Sequence, residues 1–151
     1  MLIKNISVVI IVKNSENTIK RTLNSLVDFC EVIVYDNGST DETINIAKSF
    51  PNVNLVEGEF KGFGWTKNQA ASFAKNDWVM IIDSDEVANK GLLEELKIKK
   101  LDNNTVYRLN SNGYYKNTQV KYCGWTLTVK RLYNKNITSF NNKDEFHEHD
   151  L

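Results

Sequence analysis

Hydrophobic residues in the first hundred positions occur as short continuous runs that alternate with helically spaced stripes. The runs are rich in β-branched residues, as in strands that are buried on both faces of a parallel sheet. Between them, apolar residues recur every three or four positions, which predicts amphipathic helices. The predicted strands cover 6–12, 31–36, 53–57 and 78–83, and the predicted helices cover 14–29, 38–50, 64–76 and a segment around 92–96. This alternation predicts an α/β fold with a doubly wound, Rossmann-like and mostly parallel sheet.

The pattern changes after about Thr105. The segments 104–115, 118–123 and 126–134 are typical of shorter strands, joined by turns that contain Asn and Gly. We expect this part to form a small antiparallel extension that lies over the end of the sheet. With 151 residues in total, the chain is predicted to be a single domain.

Polar side chains follow the end of each predicted parallel strand. In doubly wound sheets, ligands bind beyond the carboxyl ends of the strands, where neighbouring strand ends form one rim. The sequence therefore predicts a binding site at this rim. Its polar residues are Lys13 and Asn14, then Asp36, Asn37 and Gly38, then Glu57, and then Asp83 and Asp85.

Three carboxylates follow the fourth predicted strand, in the stretch MIIDSDEV at 80–87. Carboxylates this close repel one another unless a cation or strong hydrogen-bond donors lie between them. If the strand continues, its alternation points Asp83 and Asp85 to the same side. The alternative is structural: the strand ends in a polar turn, and Ser84 or Asp85 caps the next helix.

The charge balance, the cysteines and the length of the apolar runs limit which partners and locations we expect. Nineteen basic and nineteen acidic side chains cancel, which argues against a nucleic-acid partner, because such proteins usually have a basic excess. The two cysteines, Cys30 and Cys123, match no metal or redox spacing. No apolar run approaches the length of roughly 18 residues that a membrane span needs. A cytoplasmic location is the resulting expectation.

Four segments together carry a family resemblance: SVVIIVKNSENTIKRTLNSL, EVIVYDNGSTDETINIAKSF, FKGFGWTKNQAASFAKNDWVMIIDSDEV and FHEHDL. With them, the chain resembles a family 2 glycosyltransferase of the GT-A fold, and within that family the lipopolysaccharide-core glucosyl and heptosyl transferases. The resemblance extends from Ile6 to Glu148. Members of this family continue for several tens of residues past the histidine motif, so the resemblance suggests a truncated or shortened member.

The resemblance implies an inverting transfer of a sugar from a nucleoside diphosphate, with a UDP-sugar as the expected donor. The acceptor would be a hydroxyl of a glycan or glycolipid in bacterial surface polysaccharide or lipopolysaccharide synthesis. It implies peripheral association with the inner face of the membrane. It also divides the domain into a nucleotide-sugar-binding half, 1–103, and an acceptor-side half, 104–151.

The resemblance also assigns residues to the site. The expected cofactor is Mn²⁺ or Mg²⁺, which needs only one or two carboxylates besides phosphates and water. Its expected protein ligands are Asp85, Asp83 and His147. The expected donor-binding residues are Val12, Lys13, Asn14, Asp36, Lys67, Asn68, Asp83 and Ser84.

Several of these residues have a structural alternative. Asp36 would contact the base or ribose, but an aspartate in DNGS also suits a turn in which it binds its own backbone. Lys67 lies near the start of a helix, where it would meet the diphosphate, and the alternative is a solvated surface lysine. Ser39 and Glu42 are spaced as a capping box, which accounts for Ser39, Thr40 and Asp41 without any chemistry.

No motif in the sequence assigns a particular residue as the catalytic base. Members of the matching branch carry an acid shortly after the tryptophan of this region, whereas this chain reads Thr126, Leu127 and Thr128 there. The remaining candidates are Asp144, Glu145 and Glu148, which surround His147. The alternative for this segment is a polar terminus without a role.

Two other functions compete with this interpretation. An apolar strand followed by D-x-D also occurs in phosphohydrolases that form an aspartyl phosphate, but there the motif lies on the first strand and continues as D-G-T. Here it lies on the fourth strand and continues with Glu86 and Val87. The second alternative is a nucleotide-sugar-binding remnant without activity, which would bind a donor and not turn it over.

Overall fold

The predicted alternation of strands and helices is present in the structure, a computed structural model that describes residues 2–115, 118–119 and 126–141. Helix α1 is shorter than the segment predicted for it, because turns flank it on both sides. The elements are β1 (Ile6–Val12), α1 (Ile19–Asn24), β2 (Val32–Asp36), α2 (Thr43–Lys48), β3 (Val53–Glu57), α3 (Phe63–Ser72), β4 (Trp78–Ile81), α4 (Lys90–Ile98), β5 (Tyr107–Asn112), β6 (Tyr114–Tyr115), β7 (Thr118–Gln119) and β8 (Thr126–Asn134).

Six strands form one sheet in the order β3-β2-β1-β4-β8-β5. Strands β1 to β4 pair in parallel, so their carboxyl ends meet at one edge. Strand β8 pairs antiparallel with both β4 and β5. The predicted α/β class, with a mostly parallel sheet and an antiparallel part, is confirmed.

The predicted position of the antiparallel part is wrong. Strands β8 and β5 do not lie over the end of the sheet but continue it beside β4. The physical reason is that β4 would otherwise be an edge strand with a row of unpaired backbone groups. Pairing with β8 satisfies those groups and brings the second half of the chain to the rim of the parallel strands.

Two hydrophobic clusters cover the two faces of the sheet. One face packs against α1, α2 and α4, through residues such as Leu23, Ala47 and Leu96. The other face packs against α3, through Ala70 and Ala71. Because both faces are covered, almost every position of β1, β2 and β4 is buried, which explains the continuous apolar runs. Within the described part of the chain, none of the helices combines the length and hydropathy that a membrane crossing requires.

The predicted capping box before α2 does not form. Helix α2 begins at Thr43, and Glu42 at its N-cap makes no side-chain capping bond. The Ser39 hydroxyl instead donates to the Asp36 carboxylate at 2.5 Å, and a bond to a charged acceptor is stronger than one to a neutral partner. Asp41 does serve the helix start, since its carboxylate accepts from the Thr43 amide at 3.0 Å.

Candidate active site

The acidic motif forms a tight turn just beyond β4. The strand ends at Ile81, and a hydrogen bond of 3.0 Å from the Glu86 amide to the Asp83 carbonyl closes the turn. The expectation that strand alternation points Asp83 and Asp85 the same way is therefore wrong, because alternation requires extended backbone.

Helix capping does not explain the acids. Helix α4 begins at Lys90, and its N-cap is Asn89, whose side chain accepts from the Leu92 amide at 2.9 Å. The alternative interpretation of the motif is a polar turn in which Ser84 or Asp85 caps the next helix. The turn does form, but neither of these residues is the cap.

Arg131 on β8 is the strong donor that lies between two of the acids. One guanidinium nitrogen, Nη2, lies 2.8 Å from Asp83 Oδ2 and 3.1 Å from Glu86 Oε1. The Arg131 side chain is 8% exposed, and the Asp83 side chain is 47% exposed. Glu86 also accepts from the Asp83 amide at 2.9 Å. The arginine thus holds the two carboxylates together while Asp83 stays open to solvent.

Burial and the neighbouring charges shift the pKa values of Asp83 and Glu86 in opposite directions. Burial raises the pKa of Asp83, but the hydrogen bond from Arg131 and the charges of Arg131 and Lys67 outweigh it and leave that pKa below its usual value. Burial dominates at Glu86 and raises its pKa, against the charge of Arg131. Asp85 is exposed, and its charge acts on both Glu86 and Arg131. Asp83 is therefore ionised at neutral pH.

The pairing of β4 with β8 brings Arg131 to the motif. Leu132 pairs with Met80 and Tyr133 with Val79, so Arg131 comes next to the carboxyl end of β4. Tyr133 belongs to the hydrophobic cluster on the α3 face, and alternation gives Arg131 that same face. Lys67, on α3, approaches the acids from this side.

Lys67 is a buried residue in the second turn of α3. It is 2% exposed, so the alternative of a solvated surface lysine is wrong. Its ammonium group lies 5.9 Å from the Phe63 ring centroid and 5.3 Å from that of Phe140. Burial lowers the pKa of Lys67 to about 8, against the raising effect of Asp83 and Glu86.

Asn68, the residue after Lys67, holds a returning segment of chain. Its amide nitrogen donates to the Phe140 carbonyl at 2.9 Å, and its amide oxygen accepts from the Phe140 amide, also at 2.9 Å. These contacts fasten the chain beyond β8 to α3. Contact of Asn68 with a donor stays a prediction, because both ends of its amide group already bind the backbone.

Asn14 joins the loop after β1 to the loop after β2. Its side-chain oxygen accepts from the Thr40 backbone amide at 2.8 Å, and its backbone amide donates to the Ser39 hydroxyl at 2.9 Å. Asn14 has a φ of 50°, in the left-handed region that asparagine tolerates better than most residues. Beside it, Val12 is buried and Lys13 is exposed at the rim.

Asp36 makes the contacts of a turn aspartate. It is buried, and its Oδ2 accepts from the amides of Gly38 and Ser39 at 3.0 and 2.9 Å. This is the geometry of the structural alternative. A carboxylate has about four acceptor positions, so these contacts leave a role in base or ribose binding as a prediction.

Ser84 ties the acidic turn to the first loop of the site. Its carbonyl accepts from the Thr22 hydroxyl at 2.9 Å, and its hydroxyl accepts from the Ser15 hydroxyl at 3.1 Å. The loops after β1, β2 and β4 are thus connected to one another by side-chain hydrogen bonds.

The rim suits a divalent cation that a phosphate helps to hold. In residues 2–115, 118–119 and 126–141, no three side chains of His, Cys, Asp or Glu come together as a complete metal site. The exposed Asp85 and the half-exposed Asp83 offer hard oxygen ligands, and Mg²⁺ or Mn²⁺ completes its shell with phosphate and water. The candidates Asp144, Glu145, His147 and Glu148 lie outside the described residues.

Sequence reasoning missed Arg131 and Phe140 as parts of the site. Arg131 stands in an ordinary strand pattern, and no local motif marks it. Phe140 stands in a loop, beyond any periodic segment. A charged residue in a strand of an α/β protein is itself a weak signal, since buried charges need partners.

A family model and individual relatives both match the chain. The model described as glycosyl transferase family 2 matches residues 7–149. An uncharacterised glycosyltransferase of Rickettsia typhi is 35% identical over 153 residues, covering 97% of this chain and 52% of the relative. The glycosyltransferase SunS of Bacillus subtilis is 39% identical over 84 residues, covering 54% of this chain and 20% of the relative. The chain spans about half the length of the Rickettsia relatives that it matches.

Solved structures share the fold. TarS of Staphylococcus aureus, as residues 1–349 with UDP, superposes with a TM-score of 0.65 at 23% identity, covering 95% of this chain and 52% of that one. The same protein with UDP-GlcNAc gives a TM-score of 0.56 at 31% identity, covering 62% of this chain and 30% of that one. The predicted GT-A fold is confirmed. Because the family model spans nearly all of the described rim and sheet, the chain belongs to glycosyl transferase family 2.

Proposed function

We propose that this chain binds a nucleoside-diphosphate sugar, with UDP as the nucleotide, and transfers the sugar with inversion to an acceptor hydroxyl. The observation that supports this proposal most is the cluster at the carboxyl ends of the strands. There Arg131 donates hydrogen bonds to both Asp83 and Glu86, beside the buried Lys67. The reaction must stabilise a diphosphate as negative charge accumulates on it. A rim with fixed cations and an exposed carboxylate for a metal suits that task. Similarity to TarS, whose structure contains UDP-GlcNAc, supports a UDP-sugar donor.

Asp85 and Asp83 would hold the divalent cation, Mn²⁺ or Mg²⁺. When bound, the cation neutralises charge on the departing diphosphate. A carboxylate must be deprotonated to ligate a metal, and Arg131 keeps the pKa of Asp83 below its usual value. Lys67 adds a cation on the α3 side, where its low exposure strengthens its interaction with an anion.

The general base is proposed to come from the tail, as Asp144, Glu145 or Glu148, with His147 near the metal and diphosphate. An inverting transfer needs a base that takes the proton of the acceptor hydroxyl. The support is positional: Phe140, a few residues before the tail, lies beside Lys67 with its ring 5.3 Å from the ammonium group. Phe140, which is close to the tail in sequence, therefore lies at the edge of the cluster.

Substitutions in the tail are expected to separate the base from donor binding. Changing the true base, among Asp144→Asn, Glu145→Gln and Glu148→Gln, should slow release of UDP from a UDP-sugar by about a hundredfold or more. UDP affinity should be retained, because Asp83 and Asp85 are intact. Full turnover in all three variants would place the base elsewhere in the protein.

The acceptor in this proposal is a glycan or glycolipid in bacterial surface polysaccharide or lipopolysaccharide-core synthesis, at the inner face of the membrane. Its support is the motif resemblance that extends from Ile6 to Glu148. TarS is, by its name, a poly(ribitol-phosphate) β-N-acetylglucosaminyltransferase, and it is 36% identical to this chain over 100 residues.

Thermal unfolding with nucleotides tests the proposed function. A ligand that binds only the folded state stabilises it, by about 2.7 kcal/mol at a hundred times its Kd. We therefore expect UDP with Mn²⁺ to raise Tm by about 5–10 °C, and UDP without metal to raise it less. Equal shifts with and without Mn²⁺, or none, would contradict the proposal. UDP binding without any UDP release from a panel of UDP-sugars would favour the inactive remnant.

A further inference from the structure

Two exposed phenylalanine rings lie at the rim of the candidate site, one on the loop between β3 and α3 and the other on the first residue of α3. Phe60 is 48% exposed and Phe63 is 43% exposed. Their rings meet edge to face, with centroids 5.1 Å apart and planes at 80°. Aromatic rings contribute large apolar areas when buried, and two adjacent rings left in water beside a site suggest a ligand with a flat or apolar face.

The start of this loop is fixed to the end of β2. The Gly58 amide donates to the Asp36 carbonyl at 2.9 Å, and the Asn37 side chain donates to the Gly58 carbonyl at 3.1 Å. A Cβ atom at Gly58 would overlap the Tyr35 hydroxyl, so any larger residue there would have to displace the Tyr35 ring. The loop therefore begins beside Asp36, the residue expected to contact the base or ribose.

The end of the loop reaches the diphosphate side of the site. Phe63 is the first residue of α3, and its ring centroid lies 5.9 Å from the Lys67 ammonium group. The loop turns into the helix at Gly62, which has a φ of 85°. The aromatic pair thus lies along the rim between Asp36 and Lys67.

We propose that Phe60 and Phe63 form a stacking platform for the nucleobase of the donor. This inference rests on the proposed function, because it assigns part of the same donor site. Stacking of a base on an aromatic side chain tolerates any base, since every base has a π-face. Stacking would thus supply affinity, and the choice of base would fall to polar groups such as Asp36.

The charges around the pair do not suit an anionic lipid surface. Glu57 and Glu59 precede and flank Phe60, and Lys61 is the one cation between the two rings. That ammonium group lies 3.1 Å from the Glu59 carboxylate and 4.9 Å from the Trp65 ring centroid. An anionic membrane attracts clusters of basic residues, and this loop carries more acid than base.

Leucine substitutions test the platform, because leucine is apolar but lacks a flat ring. Phe60→Leu, Phe63→Leu and the double variant are compared with Phe73→Leu. Phe73 is also 43% exposed, but it lies just after the carboxyl end of α3, away from the aromatic pair. Titration calorimetry measures binding of UDP and of inorganic pyrophosphate, both with Mn²⁺. We expect the double variant to bind UDP about tenfold or more weakly, with pyrophosphate affinity and Tm unchanged. Phe73→Leu should match the wild type with both ligands.

The outcomes distinguish this inference from the proposed function. If the wild type binds no UDP, the proposed function fails. If the wild type binds UDP and the double variant binds it equally well, only the platform is overturned. Equal losses for UDP and pyrophosphate would overturn it too, because the rings would then act through Lys67. Normal UDP binding together with lost sedimentation on phosphatidylglycerol–phosphatidylethanolamine vesicles would make the pair a membrane contact instead.

Discussion

Replacing Asp85 by asparagine is expected to abolish the effect of Mn²⁺ on UDP binding and to slow UDP release from a UDP-sugar by about a hundredfold or more. Loss of a group that merely orients a metal ligand costs about 10–100-fold, and loss of a ligand should cost at least as much. Asp85 is exposed at the rim, so its replacement removes little packing and the variant should unfold close to the wild-type temperature.

Calorimetric titration of UDP, with and without Mn²⁺, measures this effect directly. Glu95→Gln is a suitable control, since it removes one exposed carboxylate on α4, where Glu95 pairs with Lys99. The control should keep the full metal effect. If Asp85→Asn keeps it too, Asp85 is not a metal ligand, and the acidic turn needs another explanation.

Replacing Lys67 by methionine is expected to stabilise the fold and weaken donor binding at the same time. Burial lowers the pKa of Lys67 from 10.5 to about 8, which means that the folded state holds the ammonium group at a cost on the order of 3 kcal/mol at pH 7. Methionine has a similar length without the charge, so Tm should rise. Loss of a charge-assisted contact should weaken UDP and pyrophosphate binding by about 10–150-fold, with little effect on uridine.

The pH dependence of unfolding tests whether burial of the Lys67 charge destabilises the folded protein. Between pH 8 and 10.5 the unfolded wild type binds more protons at Lys67 than the folded protein does, so wild-type stability should rise with pH in this window. The penalty is complete below about pH 8 and is relieved as the pH rises through the window. The stability difference between Lys67→Met and the wild type should therefore shrink toward pH 10.5. A difference that stays constant from pH 7 to pH 10 would show that charge burial is not its cause.

Local pattern was enough to predict the parallel half of the fold. The strands at 6–12 and 53–57 have the predicted bounds. The first is a nearly continuous apolar run that is buried almost throughout, and the second is a short, partly buried strand whose apolar residues Val53, Leu55 and Val56 mark it in the sequence. The rim followed from topology, since parallel strands with helical connections must place their carboxyl ends together. Asp36, Asp83 and Asp85 were accordingly found at one edge.

The partners of the acids could not be predicted, because they depend on register between distant segments. Arg131 meets Asp83 only because Leu132 pairs with Met80, and a shift by one residue would turn the arginine to the opposite face. The burial of Lys67 depends on Phe140, which arrives from beyond β8. No single-sequence pattern encodes either contact.

The capping box shows a different limit, namely competition between two valid motifs. Ser39 is spaced correctly both for a box with Glu42 and for a turn with Asp36. The structure has the second arrangement, in which Asp36 accepts both the amide and the hydroxyl of Ser39. Spacing alone cannot rank the two, because the choice depends on where the preceding strand holds the carboxylate.

The position of β8 has a consequence for how the protein is made. Strands β1 to β4 leave the ribosome before β8 exists, so the nascent sheet has an open edge at Trp78–Ile81 until Asn134 has followed. At about 5–20 residues per second, that edge stays open for several seconds and is prone to wrong pairing. A fragment that ended at 103 would keep this edge permanently and would also lack Arg131. Strands on both sides of residue 103 therefore belong to one sheet, and expression trials should keep them together.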